Sequence, residues 1–174
     1  MKYNMQMGLI ALSVLLAVTV SMFVPAFQRL NLRTSDGELV SSFSPDNGAY
    51  FDIQFRHSVN KGLITERYFL DKATGRICLT SGWFENYGAG MMDTIDEGMN
   101  MTEDGDRLRI DFPQRWIDSV NFASAGIANH IFMYGNDKLR LYELRPYKTI
   151  NIRIEKTSLF EIMSFLSSSI WFIF

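Results

Sequence analysis

The residues best suited to chemistry are a histidine, a serine and a glutamate. His57 and Ser58 are adjacent, and Glu66 follows after a short turn. These are the residue types of a Ser-His-acid nucleophilic site. Against that reading, adjacent residues on a strand point to opposite faces, and no G-x-S-x-G elbow surrounds the serine. We therefore expect His57 and Glu66 to form a structural cross-strand hydrogen-bonded pair. Ligand binding is the functional alternative, and no enzymatic activity is predicted.

A second candidate site is the segment from Gly88 to Met91. Gly88 and Gly90 flank one alanine and interrupt the strand pattern around them. Glycines at this spacing permit a left-handed backbone or the close approach of another group. No Lys-Ser/Thr pair or helix start follows them, so a phosphate-binding loop is not expected. The segment is predicted to be a bulge or turn, with the lining of a ligand site as the alternative.

Acidic residues cluster between Asp93 and Asp106 without a basic residue among them. Such carboxylates can bind a hard cation such as Ca²⁺, but their spacing does not match an EF-hand loop, and we expect a solvated acidic loop. His57, His130 and Cys78 are too widely spaced for a zinc-site signature. No metal or cofactor is therefore predicted, and His130 is expected to be a satisfied structural residue on a strand.

The elements that carry these residues are strands, because the middle of the chain has a hydrophobic period of two. Apolar residues alternate with polar ones over 50–57, and the alternation is cleanest over 150–155. Short strands separated by glycine-bearing turns predict an all-β fold, either an antiparallel β-sandwich or a small barrel. The predicted strands cover 50–57, 63–70, 76–85, 107–112, 128–134, 139–144 and 149–155, with a short helical turn at 116–119.

An uncharged apolar segment near the N-terminus predicts a transmembrane or signal helix. Residues 3–28 carry no charged side chain, and 8–27 are nearly all apolar. A helix of about 20 residues crosses the roughly 30 Å hydrocarbon core of a bilayer. Because this run exceeds the roughly 7–15 residues of a signal-peptide core, a retained anchor is favoured. A signal peptide cleaved near Val24-Pro25-Ala26 is the alternative.

The composition divides the chain into four parts. These are an anchor or signal peptide (1–28), a linker (29–47), a β domain (48–156) and an apolar C-terminal tail (157–174). The tail lies at the short limit for spanning a membrane, so it is expected to be a half-buried helix or an interfacial segment. We expect the β domain at the cell membrane on the extracytoplasmic side, although Arg29 and Arg33 favour the opposite orientation under the positive-inside rule.

Overall composition excludes two other classes. The 174 residues carry a formal net charge of -2, whereas a nucleic-acid-binding protein usually shows a basic surface. The single cysteine excludes a scaffold held by disulfides. A membrane is therefore a predicted partner and nucleic acid is not.

The residues described above resemble a bacterial family known as domain of unknown function 1850. The resemblance covers residues 48–155, without the apolar tail, and lies in His57-Ser58-Val59, Glu66, Gly88-Ala89-Gly90-Met91, Asn129-His130, Leu139-Arg140-Leu141 and Ile150–Glu155. Members look like small envelope proteins encoded beside, or fused to, tripartite (TRAP) transporters of the TAXI type. The resemblance implies a non-catalytic accessory role in solute uptake, with a TRAP membrane subunit or solute-binding subunit as partner. The family's recurrent residues correspond here to His57, Ser58, Glu66, Gly88 and Gly90.

Overall fold

The computed structural model describes residues 2–88 and 97–169, which are mostly β-strands joined by short turns. The elements in chain order are α1 (Lys2–Phe23), β1 (Pro25–Thr34), β2 (Leu39–Phe43), β3 (Tyr50–Arg56), β4 (Leu63–Asp71), β5 (Arg76–Phe84), β6 (Asn100–Asp104), β7 (Arg107–Asp111), β8 (Trp116–Ile117), β9 (Val120–Ala123), β10 (Ile131–Tyr134), β11 (Asp137–Arg140), α2 (Leu141–Leu144), β12 (Thr149–Ser158) and α3 (Leu159–Ser169).

The described strands form two sheets. The four-stranded sheet has the order β2-β1-β12-β9. The eight-stranded sheet has the order β11-β10-β3-β4-β5-β7-β6, with β8 paired to β5. Pairing is antiparallel along this second sheet, for example between β3 and β4 and between β4 and β5. The sheets are not closed into a barrel, so the all-β prediction is confirmed in its sandwich form.

The core lies between the two sheets and is built from their alternating apolar residues. Leu30 and Leu32 of β1 and Ile150 of β12 are fully buried from one side. Phe51 of β3 comes from the other sheet and stacks on Tyr68 of β4, with ring centroids 4.9 Å apart. Full burial of an aliphatic or aromatic side chain contributes about 1.5–3 kcal/mol. The period of two in the sequence therefore reports the inner faces of the two sheets.

The predicted linker, residues 29–47, is largely strand, so that prediction was wrong. β1 and β2 pair antiparallel, and Leu30, Leu32 and Val40 belong to the core. Ser35, Asp36 and Gly37 occupy the turn between the strands, where Gly37 has a φ of 91°, whereas Ser41 and Ser42 lie within β2. Such a φ is readily adopted by glycine, which lacks a Cβ. The polar composition of this turn therefore does not describe the strands on either side of it.

Shorter segments also differ from the sequence prediction. The expected helical turn at 116–119 is β8, which pairs with β5, and the expected strand at 139–144 ends at Arg140, where α2 follows. Part of the expected acidic loop is β6, which pairs with β7. Segments this short take their conformation from the neighbouring strand, because intrinsic β propensity depends strongly on context.

The chain divides into two compact units. One contains residues 30–154, and the other contains residues 1–29 and 155–174. In the second unit α1 ends at Phe23, ahead of Pro25, which cannot donate a backbone hydrogen bond to continue the helix. Within α1, Gln6–Phe23 is long and apolar enough to cross a membrane. The C-terminal tail comprises the end of β12 and, as far as residue 169, α3.

Candidate functional site

His57 and Ser58 lie in the turn that follows β3, and they form part of its framework. The Nδ1 atom of His57 accepts backbone N–H groups of Val59 and Asn60, each at 3.4 Å. Ser58 is exposed, and its carbonyl accepts the Lys61 ammonium at 2.7 Å. The imidazole of His57 therefore organises the backbone of the turn.

The turn also depends on a glycine that the sequence analysis did not single out. Gly62 is buried, and a Cβ added there would lie 2.1 Å from the carbonyl oxygen of Glu85. A contact that short requires the backbone to move. Asn60 closes the arrangement, since its Oδ1 accepts the Gly62 N–H at 2.9 Å and its Nδ2 donates to the Asn86 carbonyl at 2.8 Å. The turn between β3 and β4 is therefore held against the end of β5.

Glu66 does not form the cross-strand pair predicted with His57. The register places Glu66 opposite Ile53 of β3 and Gly82 of β5, whereas His57 lies beyond Arg56, which pairs with Leu63. The separation of four residues between His57 and Ile53 corresponds to about 13 Å along a strand. The two residues that the sequence linked therefore belong to different environments.

Glu66 instead points toward the interior of the sandwich beside a tyrosine. The hydroxyl of Tyr68, which is 4% exposed, donates to Glu66 Oε2 at 2.6 Å. Burial raises the pKa of Glu66, and the Tyr68 hydrogen bond opposes that shift only in part. Burial and the adjoining carboxylate also raise the pKa of Tyr68. The arrangement places a proton-binding carboxyl inside the sandwich, with one hydrogen-bond donor on it.

His130 is a further ionisable group on the inner side of this sheet. It lies 9% exposed, and its ring centroid is 5.1 Å from Phe55 and 5.3 Å from Phe122. Burial lowers the pKa of His130, while a hydrogen bond with the backbone of Ala123 opposes the shift. Its Nδ1 atom has no hydrogen-bond partner within the described ranges. The sequence predicted a structural histidine whose ring nitrogens are hydrogen-bonded. His130 is buried as a structural residue would be, but its Nδ1 atom has no partner among the described residues.

One aromatic ring, that of Phe122, contacts both Tyr68 and His130. Phe122 of β9 packs edge-on against Tyr68 at 6.4 Å and beside His130 at 5.3 Å. Glu66, Tyr68 and His130 are therefore arranged around a shared aromatic layer, which we call the interior polar cluster. Glu66 and Tyr68 share one inward face of a strand at the i and i+2 positions, but no sequence signal brings His130 to them, because β10 reaches β3 only through the sheet order.

The opposite face of the same sheet carries cations stacked on aromatic rings. The Arg67 guanidinium lies 5.0 Å from the Trp83 ring centroid and 5.9 Å from that of Tyr50. Two hydrogen bonds of 2.8 Å tie it to both carboxylate oxygens of Asp52. Arg109 lies over the same Trp83 ring at 5.4 Å. We call Tyr50, Asp52, Arg67, Trp83 and Arg109 the arginine–aromatic face.

Hydrogen bonds hold the edge of this face in place. The Trp83 indole N–H donates to Asp104 of β6 at 2.8 Å. Asp111 of β7 accepts the Ser81 hydroxyl at 2.8 Å and the Arg109 guanidinium at 2.8 and 2.9 Å. Burial would raise the pKa of Asp111, but these two donors outweigh burial and lower it. The side chains are therefore ordered by neighbours within the sheet, a feature that sequence reasoning missed entirely.

The remaining candidates do not join these clusters. Gly88 is exposed, and a Cβ added there would meet no atom of the described residues within 4 Å. Gly90, Asp93 and Asp96 lie outside the described residues. Within residues 2–88 and 97–169, no three His, Cys, Asp or Glu side chains gather in a group able to hold a metal ion.

These features define an antiparallel β-sandwich protein with an apolar N-terminal helix and a polar cluster inside the sandwich. The profile of the domain of unknown function (DUF1850) matches residues 51–141. The chain belongs to this family, as its sequence resemblance predicted. The match runs from β3 to the first residue of α2, so it contains His57, Glu66 and His130. Neither a curated protein nor a solved structure matches the chain.

Proposed function

We propose that this chain is a non-catalytic accessory protein of the cell envelope, held at the membrane by α1. The observation that carries the proposal is the exposure of α1, whose Leu9, Leu12 and Leu16 are 59–63% exposed. An apolar helix long enough to cross a bilayer and left uncovered by its own chain is stable in lipid. We place the sandwich outside the cytoplasm, where it assists solute uptake by a TRAP transporter of the TAXI type.

The arginine–aromatic face is the proposed contact with the transporter. Tyrosine, tryptophan and arginine dominate the binding energy of protein interfaces. Four residues of these types stack here on one sheet: Tyr50, Arg67, Trp83 and Arg109. Asp52 already neutralises Arg67 in a bidentate pair. A partner therefore meets side chains whose conformations are fixed before binding, which reduces the entropy lost on association. The proposed occupant is a membrane subunit or solute-binding subunit of the transporter.

Purification of the full chain from native membranes tests this function. Wild-type protein is expected to recover a TRAP subunit, and Trp83→Ala and Tyr50→Ala are expected to recover less of it. Arg140→Ala is the matched control, because Arg140 pairs on the surface with Glu143 of the next turn. Melting temperatures of all variants separate lost binding from lost folding. If wild-type protein recovers no transporter subunit, the proposal fails.

The unsatisfied Nδ1 of His130 favours one alternative, a small-ligand-binding module. A ligand that donates a hydrogen bond to Nδ1 would supply the partner that this buried atom lacks. A carboxylic acid that donates its proton to Nδ1 is the matching ligand class. A thermal-shift series with carboxylates, and with Ca²⁺ as the cation case, tests the alternative. Melting temperatures that stay constant across the series would eliminate it.

A further inference from the structure

The C-terminal helix α3 begins at a defined hydrogen-bonded cap. The Ser158 hydroxyl accepts the backbone N–H of Glu161 at 3.2 Å. A serine followed three residues later by glutamate is the sequence of a capping box, which satisfies free N–H groups at a helix start. Glu161 also places its negative charge at the positive end of the helix dipole. The start of α3 is therefore specified by local residues.

α3 starts where α1 ends. Phe23, the last residue of α1, packs on Phe160 in the first turn of α3, with ring centroids 4.7 Å apart. A basic residue lies near this contact in each part of the sequence: Arg29 follows α1, and Lys156 precedes α3. Lys and Arg with long side chains favour the phosphate level at the border of a bilayer.

The exposed side of α3 carries large apolar side chains together with two serines, Ser164 and Ser167. Phe160, Met163 and Leu166 follow one another at helical spacing and are 48%, 52% and 56% exposed. Glu161 is the only charged residue between Ser158 and Phe174. The Ser167 hydroxyl donates to the Ser164 carbonyl at 2.8 Å, so this hydroxyl is satisfied within the helix. In α1, Ser13 and Thr19 donate to helix carbonyls in the same manner.

We infer that α3 enters the bilayer beside the last turns of α1 and presents Phe160, Met163 and Leu166 to lipid acyl chains. The described 11 residues span about 16 Å at 1.5 Å per residue, about half of a hydrocarbon core of roughly 30 Å. α3 is therefore long enough to reach about half-way through the hydrocarbon core, whereas α1 is long enough to cross it. The inference rests on the proposed membrane attachment through α1 and adds a second membrane-embedded element.

Fluorescence quenching in reconstituted vesicles tests this placement. Met163→Cys and Leu166→Cys are labelled with the fluorophore NBD in detergent, and each full chain is then reconstituted into phosphatidylcholine vesicles containing nitroxide-labelled lipids. Leu12→Cys reports on α1, and Asp106→Cys, in the exposed turn after β6, is the aqueous control. Unmodified protein measures the background from Cys78, which is buried.

Quenching at both α3 positions, with Leu166 quenched more strongly by deep nitroxides than Met163, is the expected result. Leu12 should be quenched and Asp106 should not. If Leu12 is quenched while the α3 positions resemble Asp106, α3 lies outside lipid and the inference is overturned, whereas attachment through α1 stands. Absence of quenching at Leu12 would instead remove the attachment itself. Protection of α3 by a second copy of the chain would also leave its positions unquenched, and it would overturn the inference in the same way, because the inference requires contact of α3 with lipid.

Discussion

Replacement of Glu66 by glutamine should change how stability depends on pH. The variant keeps a side-chain carbonyl that can accept the Tyr68 hydroxyl, now 2.6 Å from Oε2, but it carries no ionisable proton. Burial raises the pKa of Glu66 in the folded protein, so the folded chain binds this proton more tightly than the unfolded chain does. The contribution of Glu66 to stability is therefore greatest below the unfolded pKa of about 4.3 and is lost as the pH rises through the folded pKa.

The size of the effect follows from proton linkage. Above both pKa values, each unit by which the folded pKa of Glu66 exceeds the unfolded one lowers the free energy of unfolding by about 1.4 kcal/mol. Glutamine removes this term. Its buried NH₂ group introduces a cost of about 1–3 kcal/mol if it lacks an acceptor, and that cost does not change with pH. The free energy of unfolding of Glu66→Gln should therefore rise relative to wild type as the pH increases.

Urea unfolding of the full chain in detergent micelles, followed by tryptophan fluorescence from about pH 4 to about pH 8, measures this difference. Glu103→Gln is the control, because Glu103 is exposed on β6 and its replacement removes a carboxylate from solvent. A wild-type-minus-variant difference that stays constant over this range would refute the reasoning, since it would show that burial does not disfavour the charged form of Glu66.

Three further predictions concern the turn after β3, the arginine–aromatic face and His130. Gly62→Ala should lower the free energy of unfolding, because its Cβ would lie 2.1 Å from the Glu85 carbonyl oxygen. Gly88→Ala, whose Cβ meets no atom of the described residues within 4 Å, should change that free energy by less than about 0.5 kcal/mol. Equal losses in the two variants would contradict this. Arg67→Lys should reduce stability in urea, since lysine cannot reproduce the bidentate pair with Asp52. Because burial lowers the pKa of His130, the contribution of His130 to stability should fall as the pH drops below about 6.5. His130→Phe removes that contribution, so the wild-type-minus-variant difference in the same titration should decrease as the pH drops, and a constant difference would contradict this.

The strands with clear alternation could be predicted from the sequence, and the partners across the sheet could not. β3, β4 and β12 were predicted near their observed positions because their apolar residues face one core. The pairing of His57 with Glu66 was wrong because the turn is longer than a tight hairpin and shifts Glu66 to the level of Ile53. Register depends on the turn geometry, and sequence alone did not specify the turn.

The approach of His130 to the aromatic layer is a different kind of omission. β10 pairs with β3 although a long stretch of chain separates them, and Phe122 reaches the same layer from the other sheet. Contacts of this kind arise from the order of strands in the sheets, and strand order leaves no local pattern. The arginine–aromatic face was missed for the same reason, because Arg67, Trp83 and Arg109 come from three separate strands.

The position of β12 between β1 and β9 governs when this protein can finish folding. Synthesis proceeds from the N-terminus, so β1 and β2 exist long before the strand that joins them to β9. Until residues 149–158 emerge, the four-stranded sheet lacks an internal strand, and Leu30 and Leu32 lack the neighbouring strand that completes their sheet. The region that defines the family, residues 51–141, contains neither β1 nor β12. Excised alone, it would lack β1, β2 and β12 over the inner face of its larger sheet, so we expect residues 51–141 to need the flanking strands in order to fold stably.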